Sequence, residues 1–237
     1  MKSAMSKKGI LRSIFYVAIL AFVSCSPIRK YQNDPGVLSW EKDIKAFEEL
    51  DKEQSDPQGA ILFTGSSSIR LWDNIHEDMK PYEVIQRGYG GAHFTDFAVY
   101  SNRIIYPHNP KAVVIFVAND ITGGENDKTP QEVLKLYKYV VKQTRKKLPN
   151  EPIFFIQITP NNSRWKVWDK ATEANSLIKS YSEKDPNLHY IETAYAFLGE
   201  DGKPKSELFR EDQLHLNLDG YKIWSGIIME NLNKALK

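Results

Sequence analysis

The sequence holds a single cysteine, Cys25, among its 237 residues. One cysteine cannot form a disulfide within the chain, so the fold depends on its core and not on covalent cross-links. A lone cysteine also excludes the cysteine spacings that are typical of structural zinc sites. We therefore expect no metal site of that kind.

An excess of charge of one sign is also missing. The chain has 32 Lys and Arg against 30 Asp and Glu. Four of the basic residues and none of the acidic ones lie in residues 1–24, so the remainder has 28 basic and 30 acidic residues, a net charge of −2. Because no basic surplus is left to attract a phosphate backbone, we expect no nucleic-acid partner.

Long apolar runs are absent except at the amino end. Residues 14–23 are mostly apolar, follow a basic start and precede Ser24 and Cys25. The run is short for a transmembrane span and is typical of a secretory signal. Residues 22–25, FVSC, resemble the bacterial lipobox, in which the cysteine is lipidated and becomes the first mature residue. The alternative is an ordinary cleaved signal with an incidental cysteine.

The amino end therefore predicts a lipoprotein signal peptide over residues 1–24 and a lipid anchor on Cys25. Residues 25–37 are polar, contain two prolines and are interpreted as a tether. With no repeat or second linker behind them, residues 38–237 are predicted to form one domain. We expect an exported protein that is held at a membrane and faces the periplasm or the cell exterior.

Apolar segments of strand length alternate with segments of helical spacing along this domain. Strands are predicted near residues 61–63, 83–86, 112–117, 153–158 and 188–191. Strands that alternate with helices predict a parallel sheet covered on both faces, which is a three-layer α/β/α sandwich with five strands. Among the helices, we predict one over 39–54 capped by Ser39, one over 95–105 capped by Thr95, one over 165–184, and a last one capped by Asn217.

The first predicted strand runs into Gly65-Ser66-Ser67-Ser68. Ligands of open α/β sheets bind at the carboxyl ends of the strands, where a following helix also offers free N–H groups. A serine hydroxyl there is a candidate nucleophile. The alternative is a serine that only caps the helix.

Three further loops carry residue types that would complete such a site. They are the glycine-rich stretch 88–91, Asn119-Asp120 after the third strand, and Asp212-Gln213-Leu214-His215 before the last helix. A hydrolytic serine needs a base, a group that orients the base and donors for the oxyanion. Taken singly, each loop could equally be a turn, a cap or a satisfied histidine.

The four segments in this order resemble the sequence blocks of the SGNH, or GDSL-like, esterases and lipases. The resemblance rests on Gly65-Ser66-Ser67-Ser68, on Gly91, on Val117-Ala118-Asn119-Asp120, and on Asp212 with His215, and it covers about residues 60–230. Ser66 stands where the family has aspartate, and Val117 where it has glycine. The resemblance implies a flavodoxin-like SGNH hydrolase fold.

The resemblance also implies the roles of the residues. Ser67 would be the nucleophile, His215 the general base and Asp212 the group that fixes the His215 tautomer. The N–H groups of Ser67 and Gly91 and the side-chain amide of Asn119 would bind the oxyanion. The family chemistry uses no metal and no organic cofactor.

The predicted rim of the site is polar or small, except for a few aromatic residues. Tyr89, His93 and Trp165 are therefore predicted substrate contacts, although Trp165 and Trp168 could also be core packing at a helix start. The other histidines, 76, 108 and 189, are interpreted as surface or loop residues. These features favour a serine esterase acting on a short-acyl, chiefly acetyl, ester of a glycan. The alternatives are a lysophospholipase or platelet-activating-factor-acetylhydrolase-like lipid esterase, and a non-catalytic glycan-binding lipoprotein.

Overall fold

A computed structural model describes residues 28–236 of the chain. The predicted signal peptide, Cys25 and the first residues of the predicted tether lie outside this range. Within it, no helix is long and apolar enough to span a bilayer.

One five-stranded parallel sheet forms the centre of the molecule, with the strand order β2-β1-β3-β4-β5. The strands are β1 Ile61–Gly65, β2 Val84–Gly88, β3 Ala112–Phe116, β4 Ile153–Ile156 and β5 Leu188–Ile191. Gly65 is level with Gly88 on one side and with Phe116 on the other. The loops after β1, β2 and β3 therefore leave the sheet side by side at its carboxyl edge.

The inner strands are buried on both faces because helices cover both. Every residue of β1, β3 and β4 is buried, whereas the outer strands β2 and β5 have partly exposed positions. Continuous apolar runs are what a parallel sheet between two helical layers requires. The predicted three-layer α/β/α fold with five parallel strands is confirmed.

The helices are α1 Pro35–Leu38, α2 Glu41–Glu53, α3 Ser67–Arg70, α4 Ile75–Asp78, α5 Phe94–Ile105, α6 Pro130–Lys147, α7 Trp168–Ser182, α8 Ala194–Phe197 and α9 Leu218–Ala235. Helices α2, α5, α6 and α7 pack side by side in one layer. Helix α9 lies on the other face, where Trp224 packs on Phe116 of β3 and on Trp72 between α3 and α4. Two 3₁₀ turns, Asn162–Val167 and Ser206–Leu208, interrupt the loops.

Three predicted helix starts are wrong by one to three residues. Helix α2 begins at Glu41 after Trp40, because Ser39 ends α1, where its hydroxyl donates to the Gly36 carbonyl. Helix α5 begins at Phe94 after His93, not after Thr95. The predicted 165–184 helix is a 3₁₀ turn followed by α7. The Asn217 cap is confirmed, since its Oδ1 accepts from the Gly220 N–H at 3.0 Å.

The described part of the predicted tether packs on the domain through two apolar side chains. Ile28 and Val37 are buried, and Val37 lies in α1. The Val37 carbonyl also accepts a hydrogen bond from the Tyr100 hydroxyl of α5 at 3.2 Å. The burial of these two apolar side chains stabilises the packing of the segment, because the transfer of apolar surface out of water is favourable. Ile28 and Val37 therefore anchor this segment on the domain, although most of the residues between them are exposed.

The interpretation of His108 as a surface or loop residue is half right. It follows α5, but its side chain is buried between two carboxylates, with Nδ1 2.9 Å from Asp56 Oδ2 and Nε2 3.7 Å from Asp51 Oδ2. Asp51 is also paired with Arg87 of β2. This cluster ties α2 to the edge strand β2, and none of its residues lines the cavity beside Ser67.

Candidate active site

Ser67 lies at the carboxyl edge of the sheet, as the first residue of α3. The backbone turns there through Gly65, which has φ 125°. A Cβ on this residue would lie 2.0 Å from the Phe116 carbonyl oxygen, so no other residue fits the turn. The next residue, Ser66, is buried, and its N–H donates to the same carbonyl at 2.8 Å. The turn therefore places the half-buried Ser67 side chain where the loops after β1, β2 and β3 leave the sheet.

His215 connects Ser67 to Asp212. Its Nε2 lies 2.9 Å from Ser67 Oγ, and its Nδ1 lies 2.6 Å from Asp212 Oδ2. A carboxylate can only accept, so Nδ1 carries the proton and the lone pair of Nε2 faces the serine hydroxyl. The structure thus brings together the three residues that the sequence singled out for the catalytic roles, in the order that a hydrolytic serine requires.

Asp212 is held as a carboxylate. Burial alone would raise its pKa, but the hydrogen bond from the His215 ring outweighs that effect. The backbone N–H groups of His215 and Leu214 also donate to Oδ1, at 2.9 and 3.0 Å. Together these bonds lower the pKa of Asp212 to about 2. The group is therefore ionised across the whole range in which a histidine titrates.

The loop that carries this pair has an unusual backbone. Gln213 has φ 53°, in the left-handed region that a non-glycine residue rarely adopts. Its carbonyl accepts from the Ser163 N–H at 3.1 Å, and its side-chain oxygen accepts from Asn162 Nδ2 at 2.8 Å. These contacts from the 3₁₀ turn hold the strained conformation, which in turn aims the Asp212 and His215 side chains.

Asn119 follows β3 and has its amide fixed on two sides. Nδ2 donates to the Ala92 carbonyl at 2.9 Å, and Oδ1 accepts from Arg164 Nη2 at 2.6 Å. An amide nitrogen has two hydrogens, so one remains for a ligand. Asn119 lines a single cavity of about 20 Å³ together with Ser67, Arg164 and His215. The amide is therefore placed to donate into the space beside the serine hydroxyl.

The backbone N–H groups proposed for the oxyanion are open. Neither Ser67 N–H nor Gly91 N–H forms a hydrogen bond to any residue within 28–236. Gly91 is exposed and lies one residue from the Ala92 carbonyl that Asn119 holds. It does not line the cavity beside Ser67, but a neighbouring groove. The structure therefore places Gly91 near the Asn119 amide without bringing it into the cavity wall.

The three predicted substrate contacts fare differently. The Tyr89 prediction is wrong: this side chain is 1% exposed, because its ring packs on Trp40 and its hydroxyl donates to Asp96 Oδ1 at 2.6 Å. His93 keeps 45% of its side chain exposed and lines the groove beside Gly91. Trp165 is half-buried and stacks on Trp168 with an interplanar angle of 17°, outside the cavity that holds Ser67.

Two buried carboxyl groups support the loop that contains Gly91. Asp120 Oδ2 accepts from the Phe94 N–H at 2.8 Å, and Asp96 Oδ2 accepts from the His93 N–H at 3.0 Å. Burial raises the pKa of Asp120 to about 7 and that of Asp96 to about 6. Asn119 and Asp120 thus hold the loop at two points, the Ala92 carbonyl and the Phe94 N–H. The sequence motif flagged both residues but gave a role only to Asn119.

Arg164 lines the candidate site, although the sequence did not point to it. It lies in the 3₁₀ turn after β4, half-buried, and its guanidinium reaches the residues that follow β3. The only sequence signal was its place near the carboxyl end of a core strand.

No group of three or more His, Cys, Asp or Glu within residues 28–236 is arranged to hold a metal ion.

The chain is similar to known hydrolases in sequence pattern and in fold. A model of the GDSL-like Lipase/Acylhydrolase family matches residues 58–223. No curated protein matches the sequence. Among solved structures, a candidate acylhydrolase from Bacteroides fragilis is 20% identical, with TM-score 0.70 over 81% of this chain and 97% of that one.

Two further structures have the same fold at lower identity. A protein from Streptococcus pneumoniae, described as a candidate platelet activating factor, is 18% identical, with TM-score 0.70 over 83% of this chain and 92% of that one. A variant of an acetyl-xylooligosaccharide esterase from Geobacillus stearothermophilus is 14% identical, with TM-score 0.60 over 75% and 95%. At these identities the likeness is one of fold.

Proposed function

The chain belongs to the GDSL-like lipase/acylhydrolase family, and on that premise we propose that it is a serine esterase that removes a short acyl group, acetyl above all, from a glycan. The observation that carries the proposal is the chain of hydrogen bonds from Asp212 through His215 to Ser67. A binding protein would have no use for a serine that faces a histidine lone pair. This chain of hydrogen bonds activates the Ser67 hydroxyl for attack on an ester carbonyl.

The first half of the reaction forms an acyl-enzyme. Ser67 Oγ bonds to the ester carbonyl carbon while its proton passes to His215 Nε2. The carbonyl oxygen becomes an oxyanion and receives hydrogen bonds from Asn119 Nδ2 and the Ser67 N–H, both of residues that line the cavity. The Gly91 N–H, of a residue outside the cavity wall, is proposed as a third donor. The bond to the alcohol oxygen then breaks, and His215 gives its proton to the leaving alcohol.

The second half returns the serine. A water molecule attacks the acyl carbon and loses its proton to His215. The bond from that carbon to Ser67 Oγ then breaks, and His215 returns the proton to Oγ. Asp212 stays ionised throughout, and it stabilises the imidazolium that forms twice in each cycle. No step needs a group beyond the chain, the ester and water.

The size of the cavity supports a short acyl group. The room beside Ser67 is about 20 Å³, which is close to the space of one water molecule. Phe116, Leu216 and Trp224 form its apolar wall. A methyl group suits this room, whereas most of an eight-carbon chain would have to extend out of it over the surface. The acetyl ester is therefore the best match.

The groove next to Gly91 supports a glycan as the alcohol part. It is lined by aromatic and polar side chains, including Tyr31, Trp40, His93 and Lys128. Aromatic faces and hydrogen-bonding groups are the surfaces on which sugar rings bind. We propose His93 as a substrate contact there, and Trp165 as an outer one on the 3₁₀ turn that also carries Arg164. The Geobacillus structure is that of an esterase of acetylated xylooligosaccharides, a substrate of the same class.

The test compares substrates of both classes on one enzyme preparation. We expect acetate release from acetylated xylan or a related oligosaccharide, and none from the Ser67→Ala variant. Release of fatty acid from lysophosphatidylcholine, or of acetate from an acetylated ether phospholipid but not from any glycan, would move the assignment to a lipid esterase. An absence of turnover of all these esters and of p-nitrophenyl acetate, with retained glycan binding, would favour a non-catalytic binding protein.

We also propose that a lipid on Cys25 holds the domain at a membrane surface, outside the cytoplasm. The lipobox-like residues 22–25 support this, and Ile28, only three residues later, is already buried against the domain. Such a short spacer would keep the catalytic domain close to the bilayer. Cys25→Ala should release an active, soluble domain or leave an uncleaved precursor. Unchanged fractionation of a fully processed Cys25→Ala protein with the membrane would contradict the anchor.

A further inference from the structure

The Arg164 guanidinium forms a clamp on the residues that follow β3. Nη1 donates to the Ala118 carbonyl at 2.8 Å, and Nη2 donates to Asn119 Oδ1 at 2.6 Å. The backbone of Arg164 is itself fixed, since its N–H donates to Asn161 Oδ1 at 3.0 Å. The arginine therefore contacts the oxyanion amide through a short, charge-assisted hydrogen bond from a rigid turn.

This cation has no carboxylate partner. Arg164 forms no ion pair within 4 Å with any acidic group of residues 28–236, although Asp127 and Asp120 lie near enough to act on it through space. Burial lowers its pKa, yet an arginine stays charged in any protein. A half-buried charge is costly unless it is hydrogen-bonded, and the Ala118 carbonyl and Asn119 Oδ1 are the acceptors that stabilise this one.

The clamp settles which way the Asn119 amide points. With Oδ1 on the guanidinium and one Nδ2 hydrogen on the Ala92 carbonyl, the second Nδ2 hydrogen is left for the cavity. Rotating the amide by half a turn would set NH₂ against the cation and oxygen against a carbonyl, which loses both bonds. The positive charge also draws electrons towards Oδ1 and so makes the Nδ2 hydrogens better donors.

We propose that Arg164 is a positioning residue of the esterase reaction: it locks and polarises the Asn119 amide as an oxyanion donor. This inference rests on the proposed function and adds a residue to it. Because the effect passes through Asn119, it is exerted on the transition state, where the oxyanion exists, and little on the bound ester. Loss of the clamp should therefore lower kcat and leave KM nearly unchanged.

A double-mutant cycle tests the inference with p-nitrophenyl acetate as substrate. Arg164→Met should lower kcat by about 10- to 100-fold, with KM within about threefold, and Asn119→Ala should lower kcat by about 10²- to 10³-fold. In the Asn119→Ala background, Arg164→Met should cost less than about threefold more, since the amide it positions is already gone. A Lys166→Met variant, which removes an exposed charge two residues away, should retain the wild-type kcat.

Two results would overturn the inference. One is a full 10- to 100-fold loss from Arg164→Met in the Asn119→Ala background, which means that the arginine acts independently of the amide. The other is a raised KM with an intact kcat, which means that Arg164 binds the substrate. If Arg164→Met does not fold, Arg164→Lys replaces it in the cycle. Lysine keeps the charge but not the two-pronged geometry, so its kcat should lie between the wild type and Asn119→Ala.

The rates of the wild type and of Ser67→Ala are measured in the same experiment. They distinguish a failure of the proposed esterase activity from a failure of the proposed role of Arg164. Equal rates for these two proteins would refute the proposed esterase itself. A fast wild type, a dead Ser67→Ala and an additive cycle would refute only the role of Arg164.

Discussion

Oγ of Ser67 and Nε2 of His215 lie 2.9 Å apart, although 148 positions separate the two residues in the chain. The serine begins a short helix after β1, and the histidine precedes the last helix, α9. The parallel sheet brings these loops to one edge. At this distance His215 Nε2 can accept the proton of the Ser67 hydroxyl directly, as the proposed reaction requires.

The first prediction concerns which serine reacts. Ser67→Ala should lower kcat by at least about 10⁴-fold, because both the nucleophile and the proton path to His215 are lost. Ser66→Ala and Ser68→Ala are the matched controls and should each change kcat by less than about tenfold, since neither hydroxyl contacts His215. The measurement is hydrolysis of p-nitrophenyl acetate. An inactive Ser66→Ala or Ser68→Ala beside an active Ser67→Ala would assign the nucleophile elsewhere.

The second prediction concerns the orienting carboxylate. Asp212→Asn keeps the size of the side chain but replaces an acceptor with a group that can also donate. It can no longer hold the proton on His215 Nδ1, so the imidazole can present its N–H to Ser67 instead of its lone pair. We expect kcat to fall by about 10³- to 10⁴-fold with a smaller change in KM. Retention of the wild-type kcat would show that Asp212 only shapes the loop.

The third prediction concerns acyl length. In a p-nitrophenyl ester series from two to twelve carbons, kcat/KM should be greatest for acetate and fall steeply from butyrate onwards, because the cavity beside Ser67 is only about 20 Å³. Leu214 lines that cavity, so Leu214→Ala should raise the ratio of butyrate to acetate turnover several-fold, by about 1 kcal/mol per accommodated methylene. Leu218→Ala, at an exposed leucine outside the cavity, is the control.

A wild-type maximum at eight carbons or beyond would contradict the short-acyl assignment. An unchanged ratio in Leu214→Ala would show that this leucine borders the alcohol side of the site and not the acyl side.

The fourth prediction concerns stability and pH. Burial raises the pKa of Asp120 to about 7 from an ordinary value of 3.8, so the folded state binds a proton that the unfolded state releases between these values. The free energy of unfolding should therefore fall as the pH rises from about 4 to about 7. Asp120→Asn cannot ionise, and its side-chain oxygen can still accept from the Phe94 N–H.

The check is thermal unfolding of both proteins at pH 5 and pH 8. The fall in Tm over this interval should be smaller in Asp120→Asn than in the wild type, and the variant should melt at the higher temperature at pH 8. An Asp73→Asn variant, at an exposed aspartate, should keep the wild-type slope. Equal slopes in wild type and Asp120→Asn would mean that Asp120 is ionised in the folded protein.

Sequence reasoning succeeded where the physical cause is local. Apolar runs such as 112–117 read directly as buried strands, because a strand between two helical layers has no polar face. Asp212 and His215 lie three positions apart, so their contact needs one turn of chain and no knowledge of the fold. The five-stranded parallel sheet follows from the alternation of such segments with helices.

It failed where the cause lies elsewhere in the chain. The bond from Arg164 to Asn119 spans 45 positions, and no local pattern marks it. Tyr89 looked like a rim residue because glycines surround it, but Trp40 and Asp96 bury it. Val37 looked like part of a tether, yet it docks on the domain beside Tyr100, a contact that only the packed α5 provides.

The most direct test of the central claim is to label the folded protein with a fluorophosphonate and to map the modified peptide by mass spectrometry. Such a probe bonds to a serine only where a base activates the hydroxyl and the oxyanion donors hold the phosphoryl oxygen. We expect a single adduct on Ser67, strong labelling of the Ser66→Ala and Ser68→Ala variants, and no labelling of Ser67→Ala. An adduct on another residue, or a wild-type protein that stays unlabelled while correctly folded, would contradict it.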